Sequence, residues 1–313
     1  MKKFGLCDVV AGTQSRKSVK GFENMGIRWT NRWFQSLICM CCLANIGIAS
    51  SREIERTGSS QKAVVESSLK TRAESGDALA QFEYGRALLQ TLPSTAPLQG
   101  VAEANKWLNL SERQGYVPAK AYVAFLLVWS PPPQEGRDYG KARRLAEEGA
   151  AADDPFALQM LSSFYQLGQG VEKDMERAYF FEQRAADRGW IKAQVDVAKR
   201  YLRGEGVDKD PHEAERYLDL AAQGGDVGAQ TLLGSLYASG SYGVPTNTQK
   251  AVSWLEQAAN SNSADAQYLL ADLYCEGVGV TRSVSRGKNL LQKAKVQGHK
   301  EADNALKQCG AKK

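Results

Sequence analysis

Apolar residues recur at helical spacing from about residue 75 to the end of the chain, and the pattern then repeats as a larger block. In "AQVDVAKRYLRGEGVDKDPHEAERYLDLAAQG", Val197 and Tyr201 lie four residues apart, with the small Ala198 beside Val197. Gly204 ends this first stretch, because glycine accepts the left-handed conformation that closes helices. A second stretch opens at Asp210-Pro211-His212-Glu213. Asp210 suits a helix cap, Pro211 the first helical position, and Glu213 the reciprocal position of a capping box. Ala214, Leu218, Ala221 and Ala222 then form one apolar face. The block therefore predicts two short amphipathic helices joined by a glycine turn.

The same block recurs along the chain. Ala157, Ala193, Ala229, Ala266 and Ala302 mark five copies, 36, 36, 37 and 36 residues apart, and Ala80 and Ala119 mark two looser ones upstream. Tyr165, Tyr201, Tyr237 and Tyr274 each fall eight residues after their alanine. Ser162, Ala198, Gly234 and Ala271 are small at one shared position, where a second helix can come close. Two such helices cannot bury both apolar stripes alone, so neighbouring pairs must stack. The fold class expected is all-α, a right-handed α/α solenoid.

The strings "AQTLLGSLYASGSYGV" with "AVSWLEQAA", and "AQYLLADLYCEGVGV", resemble the Sel-one-like repeat, a relative of the tetratricopeptide repeat. The resemblance covers roughly residues 75–309 as about six units plus a terminal half-repeat at Glu301–Lys307. Residues 50–74 read as a linker and a capping helix (from Gln61), and 310–313 as a tail. Departures stand out. The third strong copy has one extra residue in Gly240–Val244, and Gly287 replaces the second-helix alanine of the last full unit. Gln90–Gly100 and the proline-bearing "WSPPPQEGRDYG" read as longer loops.

Residues 1–49 read differently. From Met25, Arg28 and Arg32 form a basic start, Phe34–Ala49 is mostly apolar, and Gly47 and Ala49 precede a possible cut before Ser50. This is the layout of a secretory signal peptide; an uncleaved anchor or a buried apolar segment is the other reading. The expected location is periplasmic or secreted in a bacterium, with inner-membrane anchorage or the cytoplasm as runners-up. Of the 40 cations and 35 acids, seven cations and two acids lie in this leader, which leaves 33 of each for the rest. A neutral body argues against a nucleic-acid partner, and contact with a membrane is expected only through an uncleaved leader. Four of the six cysteines also lie in the leader. Cys275 and Cys309 remain, open to reading as a disulfide or as two partly buried thiols. Facing positions on stacked helices come within disulfide reach, which favours the bridge.

Candidate chemistry is sparse. His212 and His299 sit at different points of different repeats. No metal-ligand spacing, phosphate loop or nucleophile elbow occurs in the sequence, so no catalytic residue, metal or cofactor is expected. The resemblance instead implies a concave groove lined by the first helices. By analogy with tetratricopeptide grooves it would use positions two, six, nine and ten after each alanine. These are Gln159, Ser163, Gln166 and Leu167; Val195, Lys199, Leu202 and Arg203; Thr231, Ser235, Ala238 and Ser239; and Tyr268, Asp272, Cys275 and Glu276. Such a groove is basic near Lys199 and Arg203 and acidic near Asp272 and Glu276. The function expected is an exported, non-catalytic scaffold for a protein or peptide partner, including envelope components. A cell-wall or β-lactam hydrolase, similar to cysteine-rich repeat relatives, and a cytosolic adaptor are the alternatives.

Overall fold

A computed structural model describes residues 59–91, 98–129 and 137–311. The leader, the linker up to residue 58 and the proline-bearing segment 130–136 lie outside the described residues, as do 92–97 and 312–313. Fourteen α-helices occupy the described residues, with no strand among them. A first helix, α1 (Ser59–Glu74), caps the stack. Six pairs follow: α2 (Ala78–Thr91) with α3 (Leu98–Arg113), α4 (Val117–Trp129) with α5 (Tyr139–Ala151), α6 (Pro155–Leu167) with α7 (Met175–Asp187), α8 (Ile191–Arg203) with α9 (Pro211–Gln223), α10 (Val227–Ser239) with α11 (Thr248–Asn260), and α12 (Ala264–Glu276) with α13 (Val284–Val296). The short α14 (Ala302–Gln308) ends the stack. Helix reaches further into the two irregular loops than the sequence suggests, to Thr91 and from Leu98 in one, to Trp129 and from Tyr139 in the other.

The pairs from α6 onward share the same local devices, except that Trp190 at the start of α8 makes no side-chain cap. Asp154, Asp226 and Ser263 accept a hydrogen bond from the backbone N–H three residues on and start α6, α10 and α12; Asp138, Asp174, Asp210, Asn247 and Ser283 start the second helices in the same way. Gly168, Gly204, Gly240 and Gly277 take left-handed conformations at the ends of the first helices. The capping box expected at Glu213 does not form. The Asp210 N–H is already donated to the Tyr201 carbonyl at 3.1 Å, and the Glu213 carboxylate turns to Arg216 at 2.8 Å. That backbone bond recurs at every repeat tyrosine: Asp174 to Tyr165, Asn247 to Tyr237 and Ser283 to Tyr274 close the same turn. The extra residue of the 240–244 turn is absorbed by a 3-10 turn, Ser241–Gly243, with Tyr242 at φ 58°.

Stacking rests on small residues. The marker alanines are fully buried, as are Ala142, Ala178, Ala214 and Ala251 at the matching place on the second helices. At Gly234 a Cβ would lie 2.5 Å from Leu255 Cγ, so the two helices of that pair meet where no side chain fits. First helices also touch the first helices of neighbouring units (α2–α4, α4–α6, α10–α12), which places them on the inner side of the superhelix. Between units 1 and 4 this inner contact is aromatic. Phe82, Tyr122, Phe156 and Trp190 form a ladder with ring centroids 5.3, 4.7 and 5.3 Å apart, all within the distance at which rings attract.

A recurring polar contact ties four of the units to the helix before. Gln81, Gln194, Gln230 and Gln267 directly follow their marker alanines and are buried. Each donates its side-chain amide to the penultimate carbonyl of the preceding helix, at Ala73, Ala186, Ala222 and Ala259 (3.1 to 3.4 Å). These carbonyls also accept a backbone N–H from the turn, so the glutamine fills the second lone pair. Where α6 carries Leu158 instead, the Arg184 guanidinium reaches the equivalent Ala150 carbonyl at 3.5 Å.

Replacing Gln194 by Ala is expected to cost about 1 kcal/mol in urea denaturation, as the Ala186 carbonyl keeps the Gly189 N–H but loses its second donor. A loss within error would remove the glutamine from this role. Burial pushes the Asp154 carboxyl up to about 6, against the Ala157 and Phe156 N–H groups that pull it down. Its folded pKa thus exceeds the value of about 3.9 for a free Asp, and the folded chain holds this proton more tightly. Relative to Asp154→Asn, the natural chain should therefore gain about 1–2 kcal/mol as pH falls from about 7 to about 4, and lose that gain again as pH rises through 6. Parallel stability curves for the two proteins would contradict this.

Candidate functional site

The solvent-facing side of the first helices is a stripe. On α8 it runs through Lys192, Val195, Asp196, Lys199 and Arg203; on α10 through Gly228, Thr231, Leu232, Ser235 and Ser239. Counted from the marker alanine they are positions −1, two, three, six and ten. Apart from the adjacent positions two and three, these places lie three or four residues apart, one helical face. Gln159, Ser163, Val195, Lys199, Thr231, Ser235 and Tyr268 are half-buried on this face, and Leu167, Arg203, Asp272 and Glu276 are exposed. On α6 the stripe narrows, because Phe156 and Met160 are buried at the positions that Lys192 and Asp196 hold on α8.

Position nine does not belong to the stripe. Leu202 is 4% exposed and packs in the main core, so it cannot meet a partner. Gln166 turns inward as well: its amide donates to Ser162 Oγ at 3.1 Å and to Glu182 at 3.5 Å. Ala238 packs against the core, and Cys275 lies under α13. The reason is angular. Nine residues advance a helix by about two and a half turns, half a turn away from the marker alanine and toward the paired second helix, whereas ten residues carry the chain on to the open edge. Position two is engaged within the stack too: Thr231 Oγ1 meets Ser263 Oγ of the next unit at 3.3 Å, and the Tyr268 ring stacks on His299 at 4.3 Å.

Electrostatics along the stripe are more balanced than the expected residues alone suggest. Asp196 sits between Lys192 at 2.8 Å and Lys199 at 3.9 Å, and Glu205 lies 3.5 Å from Arg203. The analogy with tetratricopeptide grooves skips positions −1 and three and so passes over Lys192 and Asp196; the four- and three-residue spacing of Lys192, Asp196 and Lys199 was the signal that could have found them. Beneath the stripe, the buried Glu182 accepts from Arg200 Nε at 2.7 Å. Burial pushes the Glu182 carboxyl up, and the Arg200 charge opposes that.

Cys275 and Cys309 are joined by a disulfide, Cα atoms 5.3 Å apart, which ties the end of α14 to α12. Both sulfurs pass over Gly287 of α13. A Cβ there would lie 2.4 Å from the Cys275 sulfur and 3.2 Å from the Cys309 sulfur. The one second helix that lacks the alanine is the one crossed by the bridge. Among the described residues, no group of three or more His, Cys, Asp or Glu could hold a metal ion, and no helix is long and apolar enough to cross a membrane. His212 is exposed at the start of α9. His299 is stacked on Tyr268, 3.5 Å from Asp265 and 3.4 Å from Glu301.

Stacked helix pairs with one polar stripe on the inner helices define an α-solenoid repeat protein, a class built to bind along a surface. The sequence profile of the Sel1 repeat matches residues 134–154, 155–190, 191–226, 227–263 and 264–299, more than half of the chain, and the chain belongs to the Sel1 repeat family. Proteins of this family serve in general as protein-interaction scaffolds, and the fold is typically non-catalytic. Among solved structures, c5321, described as a protective antigen present in uropathogenic Escherichia coli strains displaying an SLR fold, is similar at 30% identity with a TM-score of 0.61. The match covers 77% of this chain and 50% of that one, so the chain spans half the length of this relative. A Sel1 repeat protein from Oxalobacter formigenes shares the fold at 22% identity and a TM-score of 0.58, over 74% of this chain and 86% of that one. No curated protein matches the sequence.

Gly287→Ala is expected to destabilise the oxidised protein by about 1–3 kcal/mol, the range for overpacking. The same substitution on a Cys275→Ala, Cys309→Ala background should cost markedly less. Equal costs on the two backgrounds, read by thermal denaturation, would show that the bridge does not set the residue at 287.

Proposed function

We propose that the chain is an exported, non-catalytic scaffold that binds an extended segment of a protein partner along the stripe of its first helices. The observation that carries this reading is the recurrence, at each unit from α6 to α12, of half-buried or exposed side chains at positions two, six and ten, on the face where neighbouring first helices meet. A segment laid along this face would meet Ser163, Lys199, Ser235 and Asp272 in succession, one residue per unit. Long-range charge then sets its direction: Lys199 and Arg203 favour an acidic part of the partner, Asp272 and Glu276 a basic part. Leu202 and Gln166 are left out of this site for the reasons given above.

Export is supported by the leader layout in residues 25–49 and by the chain's only two cysteines after Ser50 standing paired rather than free. Envelope components are then the partners within reach. The test is photocrosslinking in the native cell from position 203, with position 212 at the exposed start of α9 as control. A species captured from 203 and not from 212 is expected. The same capture from both positions would remove the stripe from partner binding, and an alkaline-phosphatase fusion after residue 60 that stays inactive would remove export.

A further inference from the structure

On the outer side of the stack, a cleft of about 620 Å³ lies between α11 and α13. Leu270 and Leu290 form its apolar floor, Tyr274 and Glu256 lie on one side, and Arg286 and Lys293 stand on the α13 wall. The segment 277–300 holds six Lys or Arg residues and no Asp or Glu. Within an otherwise balanced body, this unit is one-sided.

Comparison with the preceding units shows what has changed. In the unit before, Lys250 occupies the place of Arg286, one residue ahead of the small second-helix residue. It lies 3.4 Å from Glu215 and donates to the Tyr237 hydroxyl at 3.0 Å. Glu215 directly follows Ala214; the residue directly following Ala251, one unit on, is Val252. Tyr274 therefore bonds to Glu256 at 3.0 Å, one turn further along α11, and Arg286 keeps only its place over the Tyr274 ring at 5.7 Å. Lys293 shows the same loss. Its equivalent on α7 is Arg184, which pairs with Asp153 alongside Arg188. The equivalent of Asp153 is Asn262: both hold the left-handed turn residue, at φ 58° and 64°. Asn262 accepts from Gln297, which stands where Arg188 stands on α7. Against α11 in one case and α7 in the other, an acid has become neutral while the cation is present; α9 and α11 carry Leu220 and Gln257 at the place of Lys293. Neither Arg286 nor Lys293 has a carboxylate within ion-pair distance among the described residues.

We infer that this cleft binds an acidic peptide segment of a partner protein, with one carboxylate at Arg286 and a second at Lys293. Arg286 and Lys293 are seven residues apart on one helix, about 10.5 Å along the axis. An extended polyproline-type segment advances about 3.1 Å per residue and brings side chains back to one face every third residue. Acids three residues apart fit this spacing, with the peptide backbone between them passing over Leu290. A recessed cleft with an apolar floor favours a peptide over a flat lipid surface. The remaining cations do not form a line for phosphates either, since Lys295 is turned to Asp303 at 2.7 Å. The cleft lies apart from the stripe on the first helices, so failure here leaves that reading standing.

The test is fluorescence anisotropy of the full mature chain with fluorescein-labelled nine-residue peptides carrying two glutamates at spacings of one to six. Tightest binding is expected at a spacing of three, with a roughly tenfold loss when both glutamates become glutamine. Arg286→Gln and Lys293→Gln should each weaken binding roughly five- to tenfold. Val252→Glu and Asn262→Asp restore the internal acids and should each weaken it; Asn262→Asp should leave thermal stability equal or higher, whereas Val252→Glu, at a buried core position, should lower it. The inference is overturned if no peptide binds saturably, if restoring the two acids leaves binding unchanged, or if anionic phospholipid vesicles or a single-stranded DNA oligonucleotide bind more tightly through the same two cations.

Discussion

The buried glutamine that reaches back to the end of the preceding helix is the contact on which the stack depends. A solenoid has no strand pairing or closing interface to hold distant parts together; each unit meets only its neighbours, and every junction must stand alone. Alanine faces give closeness at these junctions but little direction, because small apolar surfaces can slide. The side chains of Gln194 and Gln230 fix the slide, each ending on one carbonyl of the helix before it. At the α6 junction, where leucine replaces the glutamine, Arg184 arrives from another helix to the same kind of acceptor; at α4, Lys120 holds the position and pairs with Glu148 instead.

Around that register the two halves of the stack use their inner face differently. In the first half, bulky rings at Phe82, Tyr122 and Phe156 fill the space between first helices and leave little that a ligand could touch. From α8 onward, lysine, threonine, serine and aspartate occupy the corresponding side, and the face opens. The outer side changes in the opposite sense at the far end, where Val252 and Asn262 remove the acids that balance its cations. Binding capacity in this chain is thus a matter of which internal partners a unit lacks, more than of which reactive groups it holds.

Much of this was legible in the sequence. Repeating alanines, tyrosines and glycines specify helix pairs, because each has one physical job that tolerates few substitutes: closeness, a shared turn, a left-handed end. The site was less legible. A position counted from an alanine gives an angle about the helix axis, but only packing says whether that angle meets solvent or a neighbour; Leu202 and Gln166 were lost for this reason. The role of glutamine was hidden because its acceptor is a backbone atom of the previous unit, which no side-chain pattern displays. Glu213 fits a capping box in sequence, yet its donor had another acceptor in the Tyr201 carbonyl.

Gly287 carries information about history as well as packing. A methyl group at that place and the sulfur bridge crowd each other, since the Cβ would stand 2.4 Å from the Cys275 sulfur. A unit with alanine there could close the bridge only with a loss of stability, and losing the methyl removes that penalty. The glycine and the bridge are therefore coupled features, each favouring retention of the other.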